Sequence, residues 1–397
     1  MKRIMFVDDE PNILSGLKRM LRPMRREWSM QFAESADHAL AMMKETGVDV
    51  IVTDMRMPGH DGAWRLQHVQ EQHPAAARII LSGHAEQEAT IRSVAATHQF
   101  LAKPCDADTL RETVARTCQL RDMLRSERLR KITAEISRLP SLPDIYSELN
   151  AEMGRDGSSM ASIGSIVERD LGMSAKILQL VNSAFFGLRR RVGSVAQAVA
   201  YLGMDVIRAL VLSESAFKAF ESSVSSVDAA ALIRDSRNVA AIAKKIADAE
   251  TDNKSVVDEA FQAGMMHQLG TLILASELPD EYRQVLAAVK SGDALYSAEV
   301  NQFEVTHGEV GAYLLGLWGL SDGTIEAVAY HSTPNTTEVT QFEPVAALHA
   351  AAGLYAQMLG RDDTVIDEDW LATIGCLDRL SAWRDLAQSQ MNQRDAA

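Results

Sequence analysis

Residues 48–54 read Val-Asp-Val-Ile-Val-Thr-Asp, a mainly apolar run that ends on the carboxylate of Asp54. Three other short apolar runs, at 4–7, 78–81 and 99–102, also end on polar side chains, and helix-length segments separate the four. Strands that are apolar along their whole length are typical of a parallel sheet with helices on both faces. The pattern predicts an α/β doubly wound domain at residues 1–120.

The segments between these runs have the periodicity of helices. We predict helices at 12–21, 36–46, 63–72 and 86–97, and a last one that begins near Asp106. Ligands of doubly wound sheets bind at the carboxyl ends of the strands. The polar side chains that follow the four strands should therefore converge, and they are Asp8, Asp9, Asp54, Ser82 and Lys103.

The chemistry of this group follows from its charges. Carboxylates that lie close together stay ionised only beside a cation, and oxygen ligands suit Mg²⁺. Mg²⁺ and a fixed ammonium group stabilise the charge of a transferring phosphoryl group. Asp54 is therefore the predicted phosphoacceptor, Asp9 and Asp54 would bind Mg²⁺ directly, and Asp8 would act through water. Lys103 and Ser82 would hold phosphoryl oxygens. The alternative is that each polar residue only caps its strand.

Residues 1–120 resemble the receiver domain of two-component response regulators. The matching motifs are Asp8-Asp9, Asp54, the loop 55–59, Asp61-Gly62, Ser82-Gly83 and Lys103-Pro104. The resemblance implies a five-stranded flavodoxin-like sheet, a 4-aspartylphosphate at Asp54 and a backbone carbonyl ligand for Mg²⁺ from Arg56. It also implies a cis Lys103-Pro104 bond and a switch formed by Ser82 and Phe100. An ordinary strand residue is the alternative for Phe100.

Residues 110–138 contain no Pro or Gly and are rich in Leu, Arg and Glu. This composition predicts that the last receiver helix runs on into a connecting signalling helix at 121–138. Leu129, Ile132, Ile136 and Leu139 have heptad-like spacing, which fits either the seam of a homodimer or packing within one chain. The Pro-containing segment 139–143 then ends this helix and opens a second domain.

Residues 139–397 have helical patterns with almost no strand signal, which predicts an all-α domain with its core at 139–359 and a C-terminal helical extension. Its most specific stretch, residues 169–187, reads Arg-Asp-Leu-Gly-Met-Ser-Ala-Lys-Ile-Leu-Gln-Leu-Val-Asn-Ser-Ala-Phe-Phe-Gly. The region is similar to the HDOD domain, a helical relative of the HD phosphohydrolases that has lost their metal site.

An HD hydrolase needs an adjacent His-Asp pair to hold its divalent metal. Gln268 follows His267 in place of that Asp, and Ser332 follows His331 in place of a second His, with no Gly-Tyr-Pro after it. We therefore expect His267, His307 and His331 to be hydrogen-bonded histidines without a metal or cofactor, in a domain that is not an enzyme. The alternative is a metal-dependent cyclic di-GMP phosphodiesterase of the HD-GYP type.

Composition excludes several classes of function. The net charge of −14 argues against general binding to nucleic acid or to an anionic membrane. No apolar run is long enough to span a bilayer, a strand begins almost at residue 1, and the three cysteines lack metal-type spacing, so we expect a cytoplasmic protein. The expected partners are a histidine kinase and a downstream signalling protein, with a cyclic di-GMP enzyme as one candidate.

Overall fold

The computed structural model describes most of the chain in two parts. The described residues up to 123 form a parallel sheet with helices, and the described residues from 139 onwards form a mainly helical body. The described residues are 1–55, 57, 62–82, 96–123, 129, 132–133, 139–141, 143–153, 155, 158–182, 192–212, 217–219, 227–361 and 364–395.

The first part is a five-stranded sheet with the order β2-β1-β3-β4-β5, in which every pair is parallel. This is the flavodoxin-like order, and it confirms the predicted α/β fold. The strands are Lys2–Val7 (β1), Trp28–Ala33 (β2), Val50–Asp54 (β3), Ala77–Ser82 (β4) and Gln99–Ala102 (β5). The helices are Pro11–Met20 (α1), Ala36–Thr46 (α2), Gly62–Gln72 (α3) and Ala107–Met123 (α4), with a 3₁₀ turn at Arg22–Arg26.

Four of the five strands coincide with the apolar runs, because they are buried on both faces. All five residues of β3 and all six of β4 are buried. Strand β2 is the one that the sequence pattern did not predict. It lies at the edge of the sheet beside β1, and only its two end residues, Trp28 and Ala33, are buried. An edge strand with a partly exposed middle has no continuous apolar run.

The helices that flank the sheet begin where the sequence indicates. Ser35 Oγ accepts a hydrogen bond from the N–H of His38 at the start of α2. Asp106 Oδ1 accepts from the N–H of Thr109 at the start of α4, at 2.8 Å. The predicted helix at 86–97 lies outside the described residues except for its last two positions, and the connecting helix at 121–138 lies largely outside them.

The second part contains fourteen helices within the described ranges. They are Pro143–Met153 (α5), Met160–Val167 (α6), Leu171–Val181 (α7), Val195–Leu212 (α8), Ala229–Glu250 (α9), Lys254–Met266 (α10), Leu269–Glu277 (α11), Pro279–Lys290 (α12), Leu295–Phe303 (α13), His307–Leu317 (α14), Asp322–Tyr330 (α15), Pro344–Met358 (α16), Glu368–Thr373 (α17) and Leu380–Asp395 (α18). The helical prediction for this region is confirmed.

Two local features of the helical part differ from a simple bundle. Leu139–Ser141 (β6) pairs in parallel with Phe217–Ala219 (β7), and strands of three residues are too short to give an alternating pattern in the sequence. Helix α8 is broken at Gly203, whose φ of 77° lies in the left-handed region that glycine adopts at low cost. No described helix is long and apolar enough to cross a membrane.

Candidate functional site

Three carboxylates meet at the carboxyl edge of the sheet. Asp8 and Asp9 follow β1, Asp54 ends β3, and these strands are neighbours. The ligand oxygens lie within 4.8 Å of one another, and among the described residues this is the only group of three or more His, Cys, Asp or Glu side chains with that spacing. Closely spaced carboxylate oxygens suit a hard cation such as Mg²⁺.

The ammonium group of Lys103 joins two of these carboxylates. Its Nζ lies 2.8 Å from Asp54 Oδ1 and 3.1 Å from Asp8 Oδ2. Lys103 follows β5, and its backbone N–H donates to the carbonyl of Ser82 at 2.8 Å, which links the ends of β5 and β4. The Lys103-Pro104 peptide bond is cis, as the resemblance implies. The lysine is therefore held where it can contact a group attached to Asp54.

Burial and neighbouring charges act in opposite directions at this site. Burial raises the pKa of Asp54, Lys103 lowers it and Asp8 raises it, and the net direction is upward. Burial lowers the pKa of Lys103, but Asp54 and Asp8 raise it, so this pKa is also higher than usual. Lys103 thus does not fully offset the effect of burial on the Asp54 carboxylate. A bound cation would complete the neutralisation.

The two predicted switch residues lie on adjacent strands. Ser82 ends β4 and is fully buried, and Phe100 in β5 pairs with Ile80 of β4 and is 2% exposed. Their role in a switch stays a prediction. Arg56, the implied carbonyl ligand of Mg²⁺, lies outside the described residues, as do positions 58–61.

Three histidines of the helical part lie side by side. His267 follows α10, His307 begins α14 and His331 follows α15. The ring centroids of His267 and His331 are 5.3 Å apart, and those of His307 and His331 are 5.2 Å apart. Each is at most 3% exposed. The structure therefore brings together the three histidines that the sequence singled out.

Two of these histidines are anchored by backbone carbonyls. Nδ1 of His267 lies 2.7 Å from the carbonyl of Gly264, and Nδ1 of His331 lies 2.9 Å from that of Val328. Because a carbonyl only accepts, Nδ1 carries the proton in both rings. Burial lowers the pKa of His267 to about 4 and that of His331 well below its usual value. Both rings are neutral at pH 7.

The third histidine pairs with a buried carboxylate. His307 Nδ1 lies 2.7 Å from Glu299 Oε2, and the backbone N–H of His307 donates to the same oxygen at 2.9 Å. Glu299 is 0% exposed, and its other oxygen accepts from the Tyr282 hydroxyl at 3.2 Å. Burial opposes the imidazolium form, but Glu299 raises the pKa of His307 overall. Glu299 is therefore engaged within the core by both of its oxygens.

Gln268 and Ser332 are the two positions that depart from the HD hydrolase pattern, and the structure describes both. Gln268 precedes α11, and its Oε1 accepts from Thr271 Oγ1 at 2.7 Å. A neutral amide that is already hydrogen-bonded is a weak metal ligand. Ser332 is partly buried beside His331. No carboxylate residue therefore directly follows His267 or His331 in the sequence.

Sequence reasoning missed a polar pair in the contact between the two parts. Lys176 and Gln179 lie on α7 and are each 1% exposed. Gln179 Nε2 donates to the carbonyls of Thr97 and His98, both at 3.2 Å, just before β5. The sequence carried a signal, because Lys and Gln interrupt a helix that is otherwise almost wholly apolar, and such residues are rarely buried without partners.

Comparison with known families covers both parts of the chain. Residues 4–115 match the response regulator receiver domain, and residues 139–334 match the HDOD domain. This chain therefore belongs to the response regulators that combine an N-terminal receiver domain with a C-terminal HDOD domain, as the sequence motifs predicted.

Individual known proteins are similar to parts of this chain. An uncharacterized protein of Treponema pallidum is 22% identical over 231 residues, which are 57% of this chain and 44% of that protein. The response regulator protein PilR of Pseudomonas aeruginosa is 30% identical over 122 residues, 30% of this chain and 27% of PilR. The crystal structure of the MmoQ response regulator from Methylococcus capsulatus has 22% identity and a TM-score of 0.47, and covers 60% of this chain and 98% of that one. This chain spans less than half the length of these two curated relatives.

Proposed function

We propose that Asp54 accepts a phosphoryl group from a histidine kinase, and that phosphorylation changes the protein–protein interactions of the HDOD domain. The observation that supports this most directly is the position of Lys103 Nζ, 2.8 Å from Asp54 Oδ1 and beside the carboxylate of Asp8. If Asp54 only capped β3, there would be no need for an ammonium group from the end of β5 to lie between Asp54 and Asp8. The arrangement fits phosphoryl transfer, which depends on positioning and on charge stabilisation.

The proposed transfer uses the residues at the sheet edge in separate roles. An Asp54 oxygen attacks the phosphorus of the kinase's phosphohistidine, the P–N bond breaks, and the imidazole nitrogen keeps that electron pair. The ammonium of Lys103 and the hydroxyl of Ser82 would donate hydrogen bonds to phosphoryl oxygens. Bound Mg²⁺ supplies positive charge to the phosphoryl oxygens, and Asp8, Asp9, Asp54 and the carbonyl of Arg56 would hold it.

The acceptor assignment can be tested with a small phosphodonor. Wild type and Asp54→Asn are incubated with acetyl phosphate and Mg²⁺, and phosphate incorporation is read by intact mass. We expect one phosphoryl group on wild type, none on Asp54→Asn and none on wild type after Mg²⁺ is chelated. Asp37→Asn is the matched control, because Asp37 is an exposed aspartate on α2. Equal labelling of Asp54→Asn and wild type would refute the assignment.

We infer that the HDOD domain acts by binding and not by hydrolysis. The support is the state of its histidine group, in which Glu299 is bonded to His307 and Tyr282, and Gln268 stands where a metal-binding carboxylate would be needed. Metal analysis of the purified protein, together with a turnover assay on cyclic di-GMP, tests this inference. Stoichiometric transition metal with turnover would establish the phosphodiesterase alternative instead.

A further inference from the structure

An open pocket with four arginines lies at the amino edge of the receiver sheet. The 3₁₀ turn Arg22–Arg26 leads into β2, whose first residue, Trp28, pairs with Lys2 at the start of β1. Asp54 lies at the opposite, carboxyl edge, and a strand of six residues such as β1 spans about 20 Å. The pocket is therefore separate from the phosphoacceptor site. We call its six lining residues the arginine pocket: Arg19, Met20, Arg22, Pro23, Arg25 and Arg26.

The backbone of the arginine pocket is held by hydrogen bonds and by two buried neighbours. The N–H of Met24 donates to the carbonyl of Leu21, and the N–H of Glu27 donates to that of Met24, both at 3.0 Å. Leu21 is 1% exposed and Trp28 is 4% exposed, so both ends of the turn are anchored in the core. Pro23 fixes its own φ. A ligand would therefore meet arginines on a backbone that is already ordered, which favours binding.

The positive charge of this segment is not balanced by the protein. Residues 11–33 contain five cationic side chains and one carboxylate, whereas the whole chain has a net charge of −14. The four arginines of the pocket are exposed, and none forms an ion pair or a side-chain hydrogen bond with another residue that the structure describes. Other exposed arginines do pair, such as Arg111 with Asp108 and Arg155 with Glu152, both at 2.9 Å.

Stabilisation of a helix end accounts for only part of this charge. Lys18 and Arg19 lie in the last turn of α1, where cations interact favourably with the helix dipole. That effect falls off within the last turn, and Arg22, Arg25 and Arg26 lie beyond the helix. These three arginines therefore call for a partner that the described residues do not provide.

The chemistry of the pocket points to an anion with several phosphate groups. The guanidinium group is a planar fork that binds phosphate through two parallel hydrogen bonds, and each of the four cations in the pocket is an arginine and not a lysine. Cations that share one pocket repel one another, and a polyvalent anion between them removes that repulsion. The volume of about 640 Å³ lies within the range of small-molecule sites.

The charge of the rest of the chain favours a compact anion over an extended one. A nucleic acid or an anionic membrane would bring many negative charges close to a protein whose net charge is −14. A small polyphosphate meets only the local excess of positive charge, because salt screens exposed charges beyond a Debye length of about 10 Å. Met20 and Pro23 add apolar surface on which a nucleobase can pack.

We propose that the arginine pocket is a binding site for a compact polyphosphate, of the class that comprises inorganic polyphosphates and nucleoside polyphosphates. The four guanidinium groups hold the phosphate oxygens, and no phosphoryl group is transferred. The site does not depend on phosphorylation of Asp54, which lies at the opposite edge of the sheet.

Calorimetric titration of the full-length protein tests the site, with sodium tripolyphosphate and GTP as separate probes and with Mg²⁺ chelated. Wild type and Asp54→Asn should bind one equivalent with the same affinity. The double variant Arg22→Gln/Arg25→Gln should bind at least about tenfold more weakly, because it loses two charge-assisted contacts. Arg111→Gln/Arg155→Gln is the matched control, since it removes the same charge from two exposed arginines outside the pocket and should bind as wild type does.

A second readout uses wild type alone, so it does not depend on the folding of a variant. Modification of arginines by phenylglyoxal, followed by mass spectrometry, should show that tripolyphosphate protects Arg22 and Arg25 but not Arg155.

Four results would overturn the proposal. They are no binding of either probe below about 1 mM, equal weakening in the matched control, loss of binding in Asp54→Asn, and no protection of Arg22 and Arg25. Tighter binding of single-stranded DNA or of anionic vesicles than of tripolyphosphate, lost in Arg22→Gln/Arg25→Gln, would replace the compact anion by an extended one. Binding of GTP and tripolyphosphate with equal affinity supports recognition of phosphate alone, and tighter binding of GTP supports packing of the base on Met20 and Pro23.

Discussion

Replacing Lys176 by methionine should stabilise the protein, although it removes a side chain with defined contacts. The pKa of Lys176 lies at about 7 rather than 10.5, because the amine is buried and faces Arg78. At about 1.36 kcal/mol for each pH unit, keeping an ammonium there costs roughly 5 kcal/mol. Methionine has a similar shape, and it loses the contact with the Trp318 ring and a hydrogen bond to Gln179, worth about 1–3 kcal/mol together. We expect a net gain of about 1–4 kcal/mol.

Urea unfolding of Lys176→Met and wild type at several pH values tests this reasoning. The folded pKa is depressed, so the unfolded protein binds the proton between about pH 7 and 10.5, and wild type loses stability as the pH falls through this window. The difference between Lys176→Met and wild type should therefore shrink from pH 7 to pH 9, at up to about 1.36 kcal/mol for each pH unit.

The control for this experiment is Lys254→Met, which removes an exposed lysine and should change stability by less than about 0.5 kcal/mol at every pH. A Lys176→Met protein that is less stable than wild type at pH 7, or a difference that does not depend on pH, would refute the account of the buried amine. Such a result would mean that the ammonium is better solvated, or more favourably paired, than its surroundings indicate.

Three further changes probe the phosphoacceptor site and the HDOD core. Lys103→Met should slow labelling of Asp54 by acetyl phosphate on the order of 100-fold, because it removes one donor to the phosphoryl group; labelling at the wild-type rate contradicts this role. His307→Phe should lower the free energy of unfolding in urea by about 3–5 kcal/mol, because Glu299 loses its buried partner. The double variant with Glu299→Leu should recover part of that free energy, and no recovery would contradict the role of the pair. Asn182→Leu should cost about 2 kcal/mol, because the Asn182 side chain both donates to and accepts from the backbone of Val192; an unchanged thermal midpoint would contradict it.

The sequence predicted the parts of the receiver that burial dictates. Strands β1, β3, β4 and β5 are apolar runs because helices cover both faces of the sheet, and their polar ends meet because parallel strands end at the same edge. Strand β2 was missed because it lies at that sheet's edge and keeps a partly exposed middle. Continuous burial leaves a clear signal in a sequence, and half-burial does not.

The contact between the two domains could not be predicted from the sequence, for a different reason. Lys176 and Gln179 stand out as polar residues in an apolar helix, but their partners on the receiver are backbone carbonyls of Thr97 and His98, which no side-chain pattern reveals. Gly316 could not be singled out from the sequence either, because its role is to leave room for the side chain of Leu120. The group of three histidines was easier to predict, because each histidine lies next to a motif that can be recognised in the sequence.

Strand β5 connects the phosphoacceptor site to the contact with the HDOD domain, because Gln99, which begins it, donates to the carbonyl of Gly316 and Lys103 follows it. By linkage, an effect of one site on the other must act in both directions. If phosphate on Asp54 weakens the hold of the receiver on α7 and α14, then any molecule that takes the vacated place must, by linkage, favour the phosphorylated form by the same factor. A downstream protein would then be a co-effector as well as a recipient of the signal. Its abundance in the cell would help to set how much of the regulator carries phosphate at equilibrium.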